Sequence, residues 1–183
     1  MRRIEVMIDV GQGNSMAQEH SDSVRKVLRA LEMDARRTPA QIAALAGVSE
    51  DEAAAIVGDL ESRGIIRAYR TVIDWERVMP DRVIAFIDVS VTPQRDVGFD
   101  QVAARIYRHP EVRSVHLVSG GHDLRVVVEG PTIREISQFV GEKLAPIDNV
   151  TATNTHFLLR AYKEDGIILT EDPDDDDRLA VTP

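Results

Sequence analysis

The sequence predicts an α+β protein in which an N-terminal helix-turn-helix, winged or wingless, precedes a C-terminal ferredoxin-like βαββαβ domain. Two helix starts of the capping-box type predict the first part, at Thr38-Pro39-Ala40-Gln41 and at Ser49-Glu50-Asp51-Glu52. Gly47 lies between them and favours a tight turn. Strand-like and helix-like stretches that alternate between Val83 and Ala161 predict the second part.

The composition of the 183 residues excludes several classes of protein. A chain without cysteine has no disulfides, thiolate metal sites or cysteine nucleophiles, which fits a reducing cytosol. No run of about 18 apolar residues is present, so we expect a cytoplasmic protein without a membrane span. The net charge of −9 is concentrated at the end, where eight acids and one base follow from Glu164 onward. This run predicts an acidic disordered tail at 166–183.

Three helices are predicted before residue 65. Residues 1–20 show no sustained period and contain glycines, so a flexible extension is expected there. Asp22–Asp34 carries apolar residues at the i, i+3, i+4 and i+7 positions of one helix face. The two capped helices follow, and Gly64 is the expected C-cap of the second one. Helix pairs with glycine turns also occur in plain three-helix bundles, so that alternative stays open.

The second part begins after a connecting segment. Residues 65–73 are rich in apolar and β-branched side chains, which predicts a strand that leads into a connecting strand or linker at 71–82. A strand, a helix, two strands, a helix opened by Thr132-Ile133-Arg134-Glu135 and a final strand from Val150 to Ala161 are then expected. Helices cover only one face of such a sheet, so a partner subunit is expected on the other face, which we take to be apolar.

The order of these elements resembles the Lrp/AsnC (feast/famine) family of transcriptional regulators. The resemblance to the family's helix-turn-helix is carried by PAQIAALAGVSEDEAAAIVGDLESRGIIRAY, and that to the segment before its ligand loop by HPEVRSVHLVSGGHDLRVVV. The phrase NVTATNTHFLL resembles the family's last strand, and the match spans roughly residues 22–165. The resemblance implies a regulator that binds DNA and responds to an amino acid. The predicted domains are 1–20 (extension), 21–70 (helix-turn-helix), 71–82 (linker), 83–165 (sensing and oligomerisation) and 166–183 (tail).

The resemblance places DNA contacts on and around the second capped helix. That helix, 49–62, has five acids and no Lys or Arg, although cations that meet phosphates supply most of the affinity for DNA. The candidate DNA-binding residues are Thr38, Ser49, Ala53, Ala54, Arg63, Arg67 and Arg70. We expect weak or partner-dependent DNA binding. The alternative is an amino-acid-sensing oligomeric module whose acidic helix-turn-helix serves protein contacts.

The resemblance also places an amino-acid effector at a glycine loop and the last strand, between subunits. The candidate ligand-binding residues are Ser119, Gly120, Gly121, His122, Asp123, Thr151, Thr153 and Thr155. Glycines let backbone N–H groups approach a carboxylate, and Asp123 can pair with an ammonium group. A period of two puts the three threonines on one sheet face. The alternative is an ordinary hairpin turn beside ordinary strand residues.

No enzyme, metal or cofactor is predicted from the sequence. The five histidines show no metal-ligand spacing such as His-x3-His, and no phosphate loop or nucleophile elbow is present. A minor alternative is that His116, His122 and His156 meet around the glycine loop as a metal or general-base site. The expected partners are DNA, a small-molecule amino acid and further copies of the chain, as a homodimer or a higher homo-oligomer.

Overall fold

A computed structural model of the chain describes residues 10–92 and 98–170, with side chains from residue 20 onward. The chain divides into two compact units, Met1–Thr71 and Val72–Pro183. Within the described residues, no helix is both long and apolar enough to cross a membrane.

The first unit contains three helices, α1 (Val10–Met33), α2 (Pro39–Ala46) and α3 (Glu50–Ser62). The capping box predicted for α2 is complete. Thr38 Oγ1 accepts a hydrogen bond from the Gln41 N–H, and the Gln41 side chain accepts one from the Thr38 N–H at 2.9 Å. These bonds satisfy two backbone groups that a helix start otherwise leaves without partners.

The turn between α2 and α3 depends on Gly47. Its φ of +74° lies in the left-handed region, and its N–H donates to the carbonyl of Ala43 at 2.9 Å. Ser49 then begins α3 by accepting a hydrogen bond from the Glu52 N–H at 3.2 Å. The predicted helix-turn-helix is therefore confirmed, although among the described contacts Glu52 does not return the second bond of its capping box.

The core of the first unit is formed by side chains from all three helices at helical spacing. The buried members are Val27, Ala30, Ile42, Ala43, Ala46, Ala53, Ile56 and Leu60. Small alanines in α2 and α3 allow the helices to approach closely, and the larger side chains fill the space between them.

The structure differs from two expectations for the first unit. Helix α1 begins at Val10, inside the extension expected at 1–20, of which residues 1–9 lie outside the described structure. Once a helix has started, each residue added to it gains one backbone hydrogen bond. The residues 16–19 are Met, Ala, Gln and Glu, all good helix formers. Residues 65–73 form no strand, since the described part of the chain supplies no neighbouring strand to pair with them.

The second unit begins with a short helix, α4 (Trp75–Val78), in the segment expected to be a connecting strand or linker. The elements that follow are β1 (Val83–Val91), α5 (Phe99–Ile106), β2 (Val112–Leu117), β3 (Leu124–Gly130), α6 (Ile133–Phe139), β4 (Val150–Phe157), β5 (Lys163–Glu164) and β6 (Ile167–Ile168). From β1 to β4 the order is βαββαβ. The four long strands form one antiparallel sheet in the order β2-β3-β1-β4, which confirms the ferredoxin-like prediction.

Alternate residues of the central strands face α5 and α6. Ala85, Ile87, Val89 and Val91 of β1 are buried there, as are Leu124, Val126 and Val128 of β3. The helices contribute Val102, Ile106, Ile136, Phe139 and Leu144 to the same core. The intervening strand residues therefore lie on the opposite face of the sheet.

Helix α6 ends in a π-helical turn, Val140–Leu144. Its start was predicted at Thr132, whose Oγ1 accepts a hydrogen bond from the Glu135 N–H at 3.2 Å. At the other end the Ala145 N–H donates to the carbonyl of Val140 at 2.8 Å, which is an i to i+5 bond. The wider turn leaves Leu144 fully buried in the core.

The C-terminal segment is ordered further than expected. Strands β5 and β6 pair as a hairpin, in which Lys163 lies opposite Ile168, so the first residues of the tail expected at 166–183 belong to this hairpin. Asp165 and Gly166 supply the left-handed conformations of its tight turn, with φ of +43° and +84°. The acidic run at 171–183 lies outside the described residues, as do 1–9 and 93–97.

Candidate nucleic-acid interface and effector loop

The candidate nucleic-acid interface is the outward face of α3 with the hydroxyl and guanidinium groups near it. The expectation that Ala53 contacts DNA is wrong, because its side chain is 0% exposed in the core with Ile56 and Leu60. The spacing of these three residues turns the opposite stripe outward. That stripe consists of Asp51, Ala55, Gly58 and Ser62, all exposed.

Carboxylates surround the first turn of α3. Glu50, Asp51 and Glu52 are all exposed, and within the described chain none of them forms a salt bridge. Acids in the first turn stabilise a helix, because its N-terminus carries a partial positive charge. The same acids repel phosphates, so the helix gains stability at the expense of attraction for DNA.

Three candidate arginines differ in their availability. Arg63 is paired with Asp59, with 2.8 Å between Nη1 and Oδ2. Arg67 lies with its guanidinium beside the backbone of Gly64, and Arg70 is exposed. Within the described residues neither Arg67 nor Arg70 forms a salt bridge, so of the three candidate arginines only Arg63 has an acidic partner.

The polar groups at the two helix starts are partly occupied. The Oγ atoms of Thr38 and Ser49 each accept a backbone hydrogen bond, but their hydroxyl hydrogens are still able to donate. Ala54, on the same helix as Ser49, is exposed. Nearby, the Tyr69 hydroxyl donates to Glu61 Oε1 at 2.7 Å, and this bond to a carboxylate raises the pKa of the Tyr69 phenol.

The candidate effector loop, residues 119–123, lies in the connection from β2 to β3 at one end of the sheet. It is closed by a hydrogen bond of 2.9 Å from the Val118 N–H to the Asp123 carbonyl. Ser119, Gly120 and Gly121 are exposed at its tip, and Gly120 has a φ of +146°, a value that side-chain-bearing residues rarely adopt. The loop therefore needs its glycine at 120, whereas Gly121 has no such requirement.

The carboxylate of Asp123 has a partner inside the protein. Its Oδ2 accepts a hydrogen bond of 2.8 Å from the Val91 N–H, and its own N–H donates to the Val89 carbonyl at 3.1 Å. Both bonds fasten the loop to the end of β1. Within the described residues no side-chain hydrogen bond involves the second carboxylate oxygen, which leaves one oxygen able to accept from a ligand.

The threonines of β4 do not share one environment. Thr153 lies opposite Val89 and Thr155 opposite Ile87, so both face α5 and α6 and are half-buried. The register shifts between Ser90 and Val91, which breaks the strict alternation at Thr151. Thr151 instead donates to the Ser90 carbonyl at 3.2 Å. The expectation that all three threonines point to one face toward a partner subunit is therefore wrong.

Asp123 and Thr151 nevertheless meet at the same place. Asp123 accepts a hydrogen bond from the Val91 N–H on the β3 side of β1. Thr151 donates one to the Ser90 carbonyl on the β4 side. Together they fix the end of β1 where the register shifts. The structure brings the loop and Thr151 to one end of the sheet, while Thr155 lies further along β4.

A row of polar residues crosses the sheet face opposite α5 and α6. In register, His116 of β2 lies beside Arg125 of β3, Arg125 beside Asp88 of β1, and Asp88 beside Asn154 of β4. We call these four residues the polar row. The Arg125 Nε donates to Asp88 Oδ1 at 2.9 Å, and this bond holds the pKa of the Asp88 carboxyl below its usual range.

Two histidines converge on the same aspartate. His122 Nε2 lies 3.0 Å from Asp88 Oδ1, although outside hydrogen-bonding geometry, and His156 Nε2 lies 3.4 Å from Oδ2. The side chain of Asp88 is only 14% exposed. Of the three histidines considered around the glycine loop, His122 and His156 both approach Asp88 on the sheet face opposite α5 and α6. Among the described residues no cluster of three or more His, Asp or Glu side chains is arranged to hold a metal ion.

Sequence reasoning missed Asp88 and Arg125. Both lie on strands that were predicted, and a period of two already separates them from the buried residues of those strands. A charged residue in the middle of a strand expected to be central was the signal that could have identified them. Their pairing depends on the register between β1 and β3, which no local pattern contains.

Comparison with known proteins agrees with this architecture. A sequence profile of the Lrp/AsnC ligand-binding domain matches residues 84–168. An uncharacterized HTH-type transcriptional regulator of Bacillus subtilis (strain 168) is 44% identical over 159 residues, which cover 86% of this chain and 95% of that protein. The chain belongs to the Lrp/AsnC family of transcriptional regulators.

Solved structures show the same fold. The leucine response regulatory protein of Mycobacterium tuberculosis has a TM-score of 0.66 and 26% identity, covering 81% of this chain and 99% of that one. A transcriptional regulator of Neisseria meningitidis, crystallised as a complex with L-methionine, has a TM-score of 0.62 and 25% identity, covering 78% and 91%.

Proposed function

We propose that this transcriptional regulator binds DNA through α2 and α3 and responds to a free amino acid bound at the loop 119–123. The observation that carries the DNA-binding part is the Gly47 turn between two capped helices. It holds α3 with one face in the core and the other outward, as a helix that enters the major groove must be held.

The chemistry of the loop supports an amino-acid effector. An α-amino acid presents a carboxylate and an ammonium group close together. The exposed loop tip around Gly120 offers backbone N–H groups for the first, and the second oxygen of Asp123 offers an acceptor for the other. The L-methionine complex of the Neisseria meningitidis relative indicates the same class of ligand.

We further propose that a second copy of the chain packs on the sheet face opposite α5 and α6. Ile84, Phe86 and Val127 lie on that face in the central strands and are only half-buried by their own chain. Association with a partner would remove this apolar surface from water, which stabilises the complex. The sequence had suggested that this face is apolar. The structure shows instead that the polar row crosses it.

One observation favours the alternative of a sensing module with little DNA affinity. Three exposed acids occupy the first turn of α3, which is the end that usually approaches the bases. Base reading there would depend on Ser49, Ala54 and the exposed stripe. The phosphate contacts would depend on Arg67 and Arg70.

A binding assay separates the two functions. Fluorescence anisotropy of labelled DNA from upstream of the chain's own gene is measured at about 50 mM and about 150 mM salt, with and without each amino acid. If the chain is a DNA-binding regulator, we expect saturable binding to this DNA. The binding should be tighter than binding to scrambled DNA and should change with at least one amino acid. Amino-acid binding by calorimetry without specific DNA binding at the lower salt would favour the sensing module.

A further inference from the structure

The second unit has an open groove between the end of α4 and the end of the sheet where β2 begins and β3 ends. Its volume is about 800 Å³. The apolar part of its lining is exposed to water and consists of Val78, Met79, Pro80, Pro110 and Pro131. Because exposed apolar surface of this kind marks places where another group binds, the groove calls for an occupant.

Most charged groups in the lining of this groove are paired within the chain. Arg82 donates from Nη2 to Glu129 Oε2 at 2.8 Å, and its guanidinium lies 4.7 Å from the centroid of the Trp75 ring. Glu111 is paired with Lys143. These pairs cancel charge in place, so the groove fits an apolar occupant better than a charged one.

The described structure ends close to this groove. The Ala161 N–H donates to Glu76 Oε1 of α4 at 3.0 Å, which fastens the chain after β4 to that helix. The hairpin β5–β6 then brings the chain back, since the Leu169 N–H donates to the Tyr162 carbonyl at 3.0 Å. The last described residue therefore lies near α4, the helix that also carries the groove residue Val78.

The sequence after residue 170 has two parts that match this surroundings in charge and polarity. Six acids stand at 171–177, and the apolar run Leu-Ala-Val-Thr-Pro follows at 179–183. Three exposed cations lie beside the point where this segment begins, namely Arg77 of α4, Arg160 and Lys163. Within the described residues none of the three forms a salt bridge, so the acidic part meets opposite charge there.

The segment is also long enough to bring its apolar part to the groove. Eight extended residues, 171–178, span up to about 26 Å. Helix α4, with its four residues, is only about 6 Å long. Leu179 and Val181 gain stability by leaving water. Because they belong to the same chain as the groove, their effective concentration beside it reaches about the millimolar range, so a weak affinity suffices.

We propose that residues 179–183 of the chain dock in this groove, while the acids at 171–177 lie along the three cations. Docking covers Val78 and Met79 and thereby removes an exposed apolar patch from water. It gives a bound position to part of the segment that its charge had predicted to be disordered. Any other ligand or protein reaches the groove only by displacing this segment.

The test uses a spin label, which the absence of cysteine from the chain makes simple to place. The full chain with Thr182→Cys carries a nitroxide, and the methionine methyl groups carry ¹³C for NMR. The Met79 signal should be strongly broadened, whereas Met33, an exposed methionine of the first unit, should keep its intensity. Adding Leu179→Ser/Val181→Ser, which keeps length and charge, should restore the Met79 signal.

A synthetic peptide of residues 171–183 gives a second measurement. Added to the full-length double serine variant without a spin label, it should shift the Met79 methyl signal saturably. Its Kd should lie below about 1 mM, because a weaker peptide would not stay docked at the effective concentration within one chain. A peptide that leaves the Met79 signal unchanged would overturn the inference.

Three outcomes of the spin-label experiment would also overturn it. The first is equal intensity loss at Met79 and Met33, and the second is full broadening of Met79 in the double serine variant. The third comes from a mixture in which spin label and ¹³C are on different chains. Broadening of Met79 there as strong as within one chain would assign the groove to a segment of a second copy.

Discussion

The carboxylate of Asp123 accepts a hydrogen bond from the backbone N–H of Val91 at 2.8 Å, which ties the candidate effector loop to the end of the central strand. The same residue was expected from the sequence to hold a ligand's ammonium group. Both roles are compatible, because one carboxylate has two oxygens. Substitutions at Asp123 should therefore affect stability, and an experiment on the proposed ligand binding has to separate the two effects.

Asp123→Ala should destabilise the second unit by about 1.5–3 kcal/mol, since the Val91 N–H loses a charged acceptor in a half-buried position. Asp123→Asn keeps an oxygen that can accept this bond and should cost clearly less, as measured by urea unfolding. If Asp123 also binds the ammonium group, the folded Asn variant should lose amino-acid affinity in calorimetry. Parental affinity in the Asn variant would place the effector elsewhere.

Ala53→Leu should destabilise the first unit by about 1–3 kcal/mol, because the added atoms have no space in a fully buried position. Ala55→Leu is the matched control on the exposed stripe of the same helix and should change stability by less than about 0.5 kcal/mol. Urea unfolding followed by helical circular dichroism measures both. Equal effects would contradict the burial of Ala53.

Arg67→Ala should weaken binding to all DNA sequences about equally, as the loss of a phosphate contact does. The slope of log affinity against log salt should fall by about 0.9 for each DNA-bound subunit. Arg134→Ala, which removes an exposed cation of the second unit, is the control and should leave the slope unchanged. An unaltered slope in Arg67→Ala would remove this residue from the interface.

Glu50→Lys should strengthen DNA binding, because it replaces a repulsive charge at the start of α3 by an attractive one. It should also cost about 0.3–1 kcal/mol of stability, since a cation at a helix N-terminus opposes the helix dipole. Anisotropy titrations and thermal melts measure the two effects. Glu142→Lys adds the same charge to α6 in the second unit and should not strengthen binding comparably.

Glu129 should make stability depend on pH in the acid range. The hydrogen bonds from Arg82 hold the pKa of the Glu129 carboxyl below its usual value, and Arg113 adds to this. A carboxyl whose pKa is lowered by folding contributes stability that is present above its unfolded pKa and is lost as the pH falls through the folded value.

The measurement is urea unfolding of the parent and of Glu129→Gln at several pH values. The variant should be less stable than the parent at pH 7, and the difference should shrink once the pH falls below about 4. Glu164→Gln, which alters an exposed carboxylate of the terminal hairpin, should show no such convergence. A constant difference for Glu129→Gln across the range would contradict the assignment.

The local parts of the fold could be predicted because local chemistry determines them. Thr38, Ser49 and Thr132 cap helices through bonds to residues three positions away, and Gly47 takes the conformation that a turn requires. Local chemistry of this kind could not decide whether the strand expected at 65–73 forms. A strand exists only with a neighbour, and its composition does not reveal whether one is present.

The candidate sites were predicted less well, because they depend on register. A single shift beside Ser90 changes the surroundings of Thr151, and the pairing of β1 with β3 places Arg125 on Asp88. Ala53 was wrong as a DNA contact for a different reason. Its spacing with Ile56 and Leu60 already predicts the apolar face of α3, and it is buried there with side chains of α1 and α2.

The π-helical turn Val140–Leu144 is closed by a hydrogen bond five residues apart, so it contains one residue more than an α-helical turn. An α-helix continued through this point would turn Leu144 away from the core by the angle that one residue subtends. Loss of a single residue between Val140 and Lys143 would therefore be absorbed by regularising the helix, with Leu144 kept in its buried position. A deletion of the same length earlier in α6 would rotate Ile136 or Phe139 out of the core, so tolerance to length change in this helix is confined to its last turn.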